Sequence, residues 1–153
     1  MADLSEIQSI TVDGPDQVGK GEAVGSIGEA LRYMDVNTTV ISFPNYATPI
    51  GEVINDVLHN GFTEKLGIDK EREVLVKMAL FALNRLEVLN CILADRRNDV
   101  YVFDRGPFSN ALTIAYYLTQ GGGEYSMEEL VEIGLSLDAY FREQLNIDNC
   151  VIQ

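Results

Sequence analysis

Gly14-Pro15-Asp16-Gln17-Val18-Gly19-Lys20 sets two glycines and a lysine in the spacing G-x-x-x-x-G-K, after a β-favouring run and before a helix-favouring one. No other stretch constrains the chain as tightly. Residues 7–13, with Ile7, Ile10 and Val12, read as a strand, and residues from 20 to about 34 read as a helix. A loop of this kind bends sharply enough for successive backbone N–H groups to converge on a phosphate. The N-terminus of the helix behind it adds partial positive charge. The expected ATP phosphate-binding set is Gly14, Asp16, Gln17, Val18, Gly19, Lys20 and Gly21, with Lys20 reaching the β- and γ-phosphates. A plain strand-to-helix turn that contains Gly-Lys is the alternative. The eighth position of the motif carries a Ser or Thr hydroxyl for Mg²⁺, whereas this chain has Gly21 followed by Glu22. Mg²⁺ keeps several waters, so water is the expected substitute, at a cost in metal-nucleotide affinity.

The rest of the chain keeps the alternation going. Residues 38–43 are β-branched and stop at Pro44. Thr48 caps a helix that has Pro49 in its first turn, runs to about His59 and ends at Asn60-Gly61. A long helix is expected over about 71–97, with Leu75, Ala79, Ala82, Leu86, Leu89 and Leu93 as its core stripe. Val100-Tyr101-Val102-Phe103, ending in Asp104, reads as a strand covered on both faces. A helix over about 107–119 stops at Gly121-Gly122-Gly123, and Ser126 with Glu129 forms a capping box for another helix up to about 145. Cys150-Val151-Ile152 looks like the start of a fourth strand. The pattern predicts an α/β fold with a doubly wound parallel sheet, as one domain over 1–153. Because a buried-type strand begins where Gln153 ends the sequence, the expectation is a C-terminally incomplete domain whose sheet is not finished.

Eleven Lys and Arg against 24 Asp and Glu give a net charge of -13. Such a surface repels nucleic-acid backbones and anionic membranes, so polymeric nucleic acid and membrane are not expected partners. An anionic small ligand needs a local cluster of the few cations. Met1 to Ile10 has neither a basic n-region nor an apolar h-region, so a secretory signal is not expected, and no apolar run reaches the roughly 18 residues of a membrane span. Cys91 and Cys150 lack a disulfide or zinc pattern, and His59 stands alone, which points to a reducing cytoplasm.

Three further segments, in order, resemble the thymidylate kinase family. They are Phe43-Pro44 with Thr48-Pro49-Ile50-Gly51-Glu52, then Phe81-Ala82-Leu83-Asn84-Arg85-Leu86-Glu87, then Asp104-Arg105 with Phe108-Ser109-Asn110-Ala111 behind. With the loop they span about 7–120, and the fold implied is of the phosphate-loop (P-loop) NTPase type, with the family's arginine-rich lid and last strand expected to be lacking from these 153 residues. The resemblance implies transfer of the ATP γ-phosphoryl, with Mg²⁺, to a monophosphate acceptor such as thymidine monophosphate. It implies Lys20, Asp104 and Arg105 as catalytic, with Asp104 near the metal through water. It implies acceptor binding by Asp16, Phe43, Phe81, Arg85, Arg105, Ser109 and Asn110. Phe81 and Arg85 are four apart and share a helix face, where a ring and a guanidinium suit stacking on a pyrimidine and bonding its edge. A core Phe beside a solvated Arg, and a surface Asp-Arg pair at 104 and 105, are the plainer alternatives. A homodimer is also implied, with Val74, Val88 and Ile92 expected on the outer side of the long helix.

Several positions depart from the family pattern. Gly106 replaces the aromatic or His after Asp-Arg, and Thr113 falls where an aromatic crowds the sugar 2′ position, with Tyr116 and Tyr117 one turn on. Asn45 and Tyr46 stand where a phosphate-binding Arg is frequent, and Arg142 is the only cation after Arg105. The rival readings are a non-catalytic nucleotide-binding relative, which Gly21 favours, and a deoxynucleoside kinase, which shares the loop and an acidic-Arg motif.

Overall fold

The strand at the centre of the sheet shows why the chain is layered as it is. In the computed structural model, which describes residues 8–14, 19–62, 69–94, 100–120 and 125–145, β3 (Val100–Asp104) has its first four residues buried. It pairs in parallel with β1 (Gln8–Val12) on one side and β2 (Thr38–Ser42) on the other, in the order β1-β3-β2. The register aligns Val12 with Asp104 and Ser42 with Asp104, so all three strands end level. Val100 and Val102 pack with Val24, Ile10, Val12, Ile27 and Leu31, beneath α1 (Lys20–Tyr33). Tyr101 and Phe103 point the other way, into Phe43, Val88, Leu89, Ile92, Phe141 and Leu145, beneath α3 (Lys70–Ala94) and α6 (Ala139–Gln144). Burying each large apolar side chain contributes about 1.5–3 kcal/mol, so the two-faced burial of β3 organises the fold. The doubly wound parallel arrangement is as expected; residues 150–152, read as a fourth strand, lie outside the described residues.

The helix caps follow the sequence. α2 (Pro49–Asn60) begins with the Thr48 hydroxyl accepting from the Gly51 N–H at 3.1 Å, and ends at Gly61, φ 70°. α4 (Pro107–Gln120) crosses α5 (Met127–Leu137) closely enough that a Cβ on Gly134 would lie 2.7 Å from the Ala111 Cα. In the capping box of α5, the Glu129 N–H donates to the Ser126 hydroxyl (3.2 Å) and the Ser126 N–H to the Glu129 carboxylate (2.8 Å). The Ser126 backbone N–H, then its hydroxyl, hold the Glu129 carboxyl below its ordinary range. The cap is therefore at full strength above the ordinary carboxylate pKa and is lost as pH falls through the lowered one.

Two expectations fail. α3 buries Met78, Ala82, Asn84, Arg85, Val88, Leu89 and Ile92, while Leu75, Leu86 and Leu93 are only half-buried. Val88 (6% exposed) and Ile92 (2%) face the sheet, so they form no outer dimer surface, and Val74 packs beside Met78. Of the expected stripe, Ala82 and Leu89 are buried and Leu75, Leu86 and Leu93 pack against the core, so the stripe does face inward. The inward side is wider than the apolar count showed and also takes in Asn84, Arg85, Val88 and Ile92. Nor is 126–145 one helix. It breaks at Asp138, whose carboxylate turns inward to Arg85, separating α5 from α6.

The quoted motifs interlock around the start of α2. Buried Asn84 accepts from the Asn45 N–H (2.7 Å) and donates to the Asn45 carbonyl (3.1 Å) and the Thr48 hydroxyl (2.8 Å). Glu87 accepts from the Ile50 N–H at 3.2 Å. Gly51 sits so close to this loop that a Cβ would run into the Asn45 carbonyl oxygen and lie 2.8 Å from the Tyr46 Cα. Gly51→Ala gains about 1 kcal/mol in helix propensity. Overpacking against backbone that cannot rotate away costs more, and we expect a net loss of about 1–3 kcal/mol by urea denaturation.

Candidate active site at the carboxyl ends of the strands

Because the strands end level, the residues that follow β1, β2 and β3 meet along one edge, where ligands bind in open α/β sheets. After β1, Asp13 and Gly14 are half-buried, and the loop closes at Gly19, φ 80°, a left-handed conformation that glycine adopts without a Cβ penalty. The Ala23 N–H to Gly19 carbonyl bond, 3.0 Å, starts α1 there. Asp16, Gln17 and Val18 lie outside the described residues. Lys20, first in α1, has its ammonium 3.3 Å from the Asp104 Oδ1, in an ion pair rather than an aligned hydrogen bond. Ser42, level with Asp104 on β2, has its hydroxyl 3.5 Å from Oδ2 of the same carboxylate.

Arg105 has φ 68°, an unusual conformation for a residue with a side chain, held by its N–H donating to the Val12 carbonyl at 3.0 Å. Asp13 supports the same turn. Its carboxylate accepts from the Gly106 N–H (2.8 Å), the Ser109 N–H (3.2 Å) and the Ser109 hydroxyl, and so caps α4 from across the sheet. Gly106 abuts Thr11, and a Cβ there would strike the Thr11 methyl. The missing aromatic at 106 thus matches the packing of this chain.

Between α2, α3 and α4 lies a cleft of about 590 Å³, within the usual range of small-ligand sites. Phe43, Phe81, Arg85, Arg105, Ser109 and Asn110, the described residues expected around a monophosphate, all line it. Lys20 and Asp104 stand at the strand edge and are not in its lining. Thr113 and Tyr117 also line it, whereas Tyr116 is exposed and meets Tyr117 edge-on, with ring centroids 5.6 Å apart. The Thr113 hydroxyl donates to the Ser109 carbonyl at 2.8 Å.

Arg85 is not a solvated arginine. It is 2% exposed, and its Nε and Nη2 donate to Asp138 Oδ1 and Oδ2 at 2.7 and 2.6 Å. Its guanidinium carbon also lies 5.8 Å from the centroid of the Phe43 ring. Phe43 is itself largely core, 5.7 Å from Phe103 and 5.9 Å from Phe141 by ring centroids, and only 4% exposed although it lines the cleft. With Lys77, paired to Glu73 at 2.6 Å, the cleft and its edge gather four cations from a chain of net charge -13. Asp13, Asp138, Ser42 and Lys77 were not picked out from the sequence. Asp13 and Asp138 each carry the signal of a lone Asp at an element boundary, too common to single out.

A parallel sheet with helices on both faces, a Gly-Lys turn after the first strand, and Asp-Arg at the end of the neighbouring strand define a phosphate-loop α/β protein of the nucleotide-kinase type. The sequence profile of the thymidylate kinase family matches residues 12–131, and the chain belongs to that family. The structure is similar to thymidylate kinase from Candida albicans, an enzyme described as having broad substrate specificity and a novel structural element. The TM-score is 0.59 at 24% identity, over 87% of this chain, which spans 57% of the Candida one. Among curated proteins none matches. No helix among the described residues is long and apolar enough to cross a membrane.

Proposed function

We propose that this chain transfers the γ-phosphoryl group of ATP to a thymidine monophosphate-type acceptor, yielding two diphosphates. An acceptor phosphate oxygen bonds to the γ-phosphorus as the β–γ bridging bond breaks, and ADP carries away the electron pair. Protein groups do little covalent chemistry here; they align the two phosphates and balance charge. Lys20 and the loop amides hold the donor. Arg105 grips the acceptor phosphate, and Phe81, Arg85, Ser109 and Asn110 hold its base and sugar, with Phe43 forming the cleft wall. One observation carries this reading: six residues from three separate sequence segments line a single nucleotide-sized cleft beside the Lys20–Asp104 pair.

Mg²⁺ fits the donors present, since it binds through one or two carboxylates together with substrate phosphates and water. Asp104, directly or through water, is the carboxylate in reach of the phosphate loop, and the metal when bound neutralises charge on the transferring phosphoryl group. Gly21 favours the second reading, a protein that binds nucleotide without turnover.

The experiment is a coupled assay for diphosphate formation from ATP and thymidine monophosphate, with thymidine as the competing acceptor. Among these 153 residues Arg142 is the only Lys or Arg after Arg105, so in the assay the charge on the transferring group is left to the cations already at the cleft and its edge, Lys20, Lys77, Arg85 and Arg105. We expect turnover about 10³–10⁵ below the roughly 1–100 s⁻¹ of kinases, by analogy with the loss of an arginine finger. Transfer to thymidine alone contradicts the proposal and favours a nucleoside kinase. Monophosphate binding with no transfer at all favours the non-catalytic reading.

A further inference from the structure

We infer that Ser42 supplies the metal-binding hydroxyl that the phosphate loop lacks at Gly21. The inference rests on the nucleotide-binding reading above. In the loop motif, the residue after the lysine contributes a hydroxyl to Mg²⁺. Gly21 has none, and a Cβ there would meet nothing within 4 Å, so packing does not demand the glycine. A hydroxyl does stand nearby, on a different strand. Ser42 ends β2 level with Asp104 on β3, and its side chain approaches the Asp104 carboxylate.

The two carboxylate oxygens have different neighbours. Oδ1 is enclosed, 3.3 Å from the Lys20 ammonium, a position that excludes a second cation. Oδ2 faces the Ser42 hydroxyl at 3.5 Å, at the outer limit of a hydrogen bond, so the contact does not commit that oxygen. Ser42 itself is exposed. A hydroxyl oxygen and a carboxylate oxygen side by side at the open edge of the sheet are the hard donors that Mg²⁺ selects. Octahedral Mg²⁺ at 2.0–2.1 Å from each ligand sets adjacent oxygens about 2.9 Å apart, so Ser42 and Asp104 need close by only about 0.6 Å. Water filling the place of the lost hydroxyl is the competing arrangement.

The test is calorimetric titration of ADP with and without Mg²⁺, on wild type, Ser42→Ala, Ser42→Cys, and Ser42→Ala with Gly21→Ser added. Melting curves accompany it, and an exposed Ser42 predicts unchanged stability. Wild type is expected to bind ADP more tightly with Mg²⁺. Ser42→Ala loses about 10–100-fold of metal affinity while Mg²⁺-free ADP binding stays the same. Adding Gly21→Ser restores the metal dependence, because the hydroxyl returns at the usual loop position. Ser42→Cys shifts preference from Mg²⁺ towards Cd²⁺, since a thiolate is a soft ligand, and a residue that merely positioned Asp104 would not produce that shift. Nucleotide binding with full Mg²⁺ dependence in Ser42→Ala, or with none in wild type, overturns the inference alone. Absence of ADP binding under every condition overturns the phosphate-loop reading as well.

Discussion

Asp138→Ala is expected to destabilise the protein by about 3–5 kcal/mol, because it strands a buried guanidinium. Arg85 is 2% exposed and Asp138 1%, and the two bonds between them, at 2.7 and 2.6 Å, are short and charge-assisted. The pair ties the middle of α3 to the corner between α5 and α6. Removing the carboxylate leaves the positive charge enclosed with no compensating anion. The helix break at 138 loses its reason at the same time. Urea denaturation measures the loss directly. A decrease under 1 kcal/mol would show that the corner relaxes and lets water in. Replacing both residues by leucine is the matched control, since exchanging a buried ion pair for apolar packing is often neutral or stabilising. The double variant is expected to stay closer to wild type than Asp138→Ala does. Its acceptor affinity falls nonetheless, because Arg85 lines the cleft and lies over the Phe43 ring.

That prediction concerns a contact no local reading could find. Arg85 and Asp138 lie 53 positions apart, Asp13 and Ser109 96 apart, and Asn45 and Asn84 39 apart. Each is a polar pair brought together by tertiary packing, and sequence periodicity carries no information about it. The elements themselves were legible because their signals are local. A β-branched and aromatic run at 100–103 ends at an Asp. Thr48-Pro49 opens α2 and Gly61 closes it, and Ser126 with Glu129 caps α5. The width of the inward face of α3 was misjudged for a physical reason. Beside the expected leucine stripe, which does pack on the core, it mixes in an asparagine and an arginine whose partners are distant, so Val88 and Ile92 beyond them were read as outer. The cleft residues were legible only through resemblance, since stacking and edge contacts leave no mark on spacing beyond Phe81 and Arg85 sharing a face. Ser42, one residue before the recognised Phe-Pro, could have been noticed only by asking what replaces a missing hydroxyl.

Arg105 bears the second large effect. Its backbone at φ 68° costs about 1–2 kcal/mol for a residue with a Cβ, and such strain persists where surrounding bonds over-determine it. Arg105→Gly relieves the strain, and the flexibility that glycine adds to the unfolded chain offsets part of the gain, so stability is expected to stay within about 1 kcal/mol of wild type. Function is expected to fall sharply. Losing a charge-assisted contact worth about 1.5–3 kcal/mol weakens acceptor binding roughly 10–150-fold.

Calorimetric titration of thymidine monophosphate into wild type and Arg105→Gly tests the account most directly. We predict one site per chain in wild type, with affinity lost in the variant while its melting temperature holds. No heat in wild type, or equal affinity in both proteins, would contradict the assignment of this cleft to a nucleoside monophosphate.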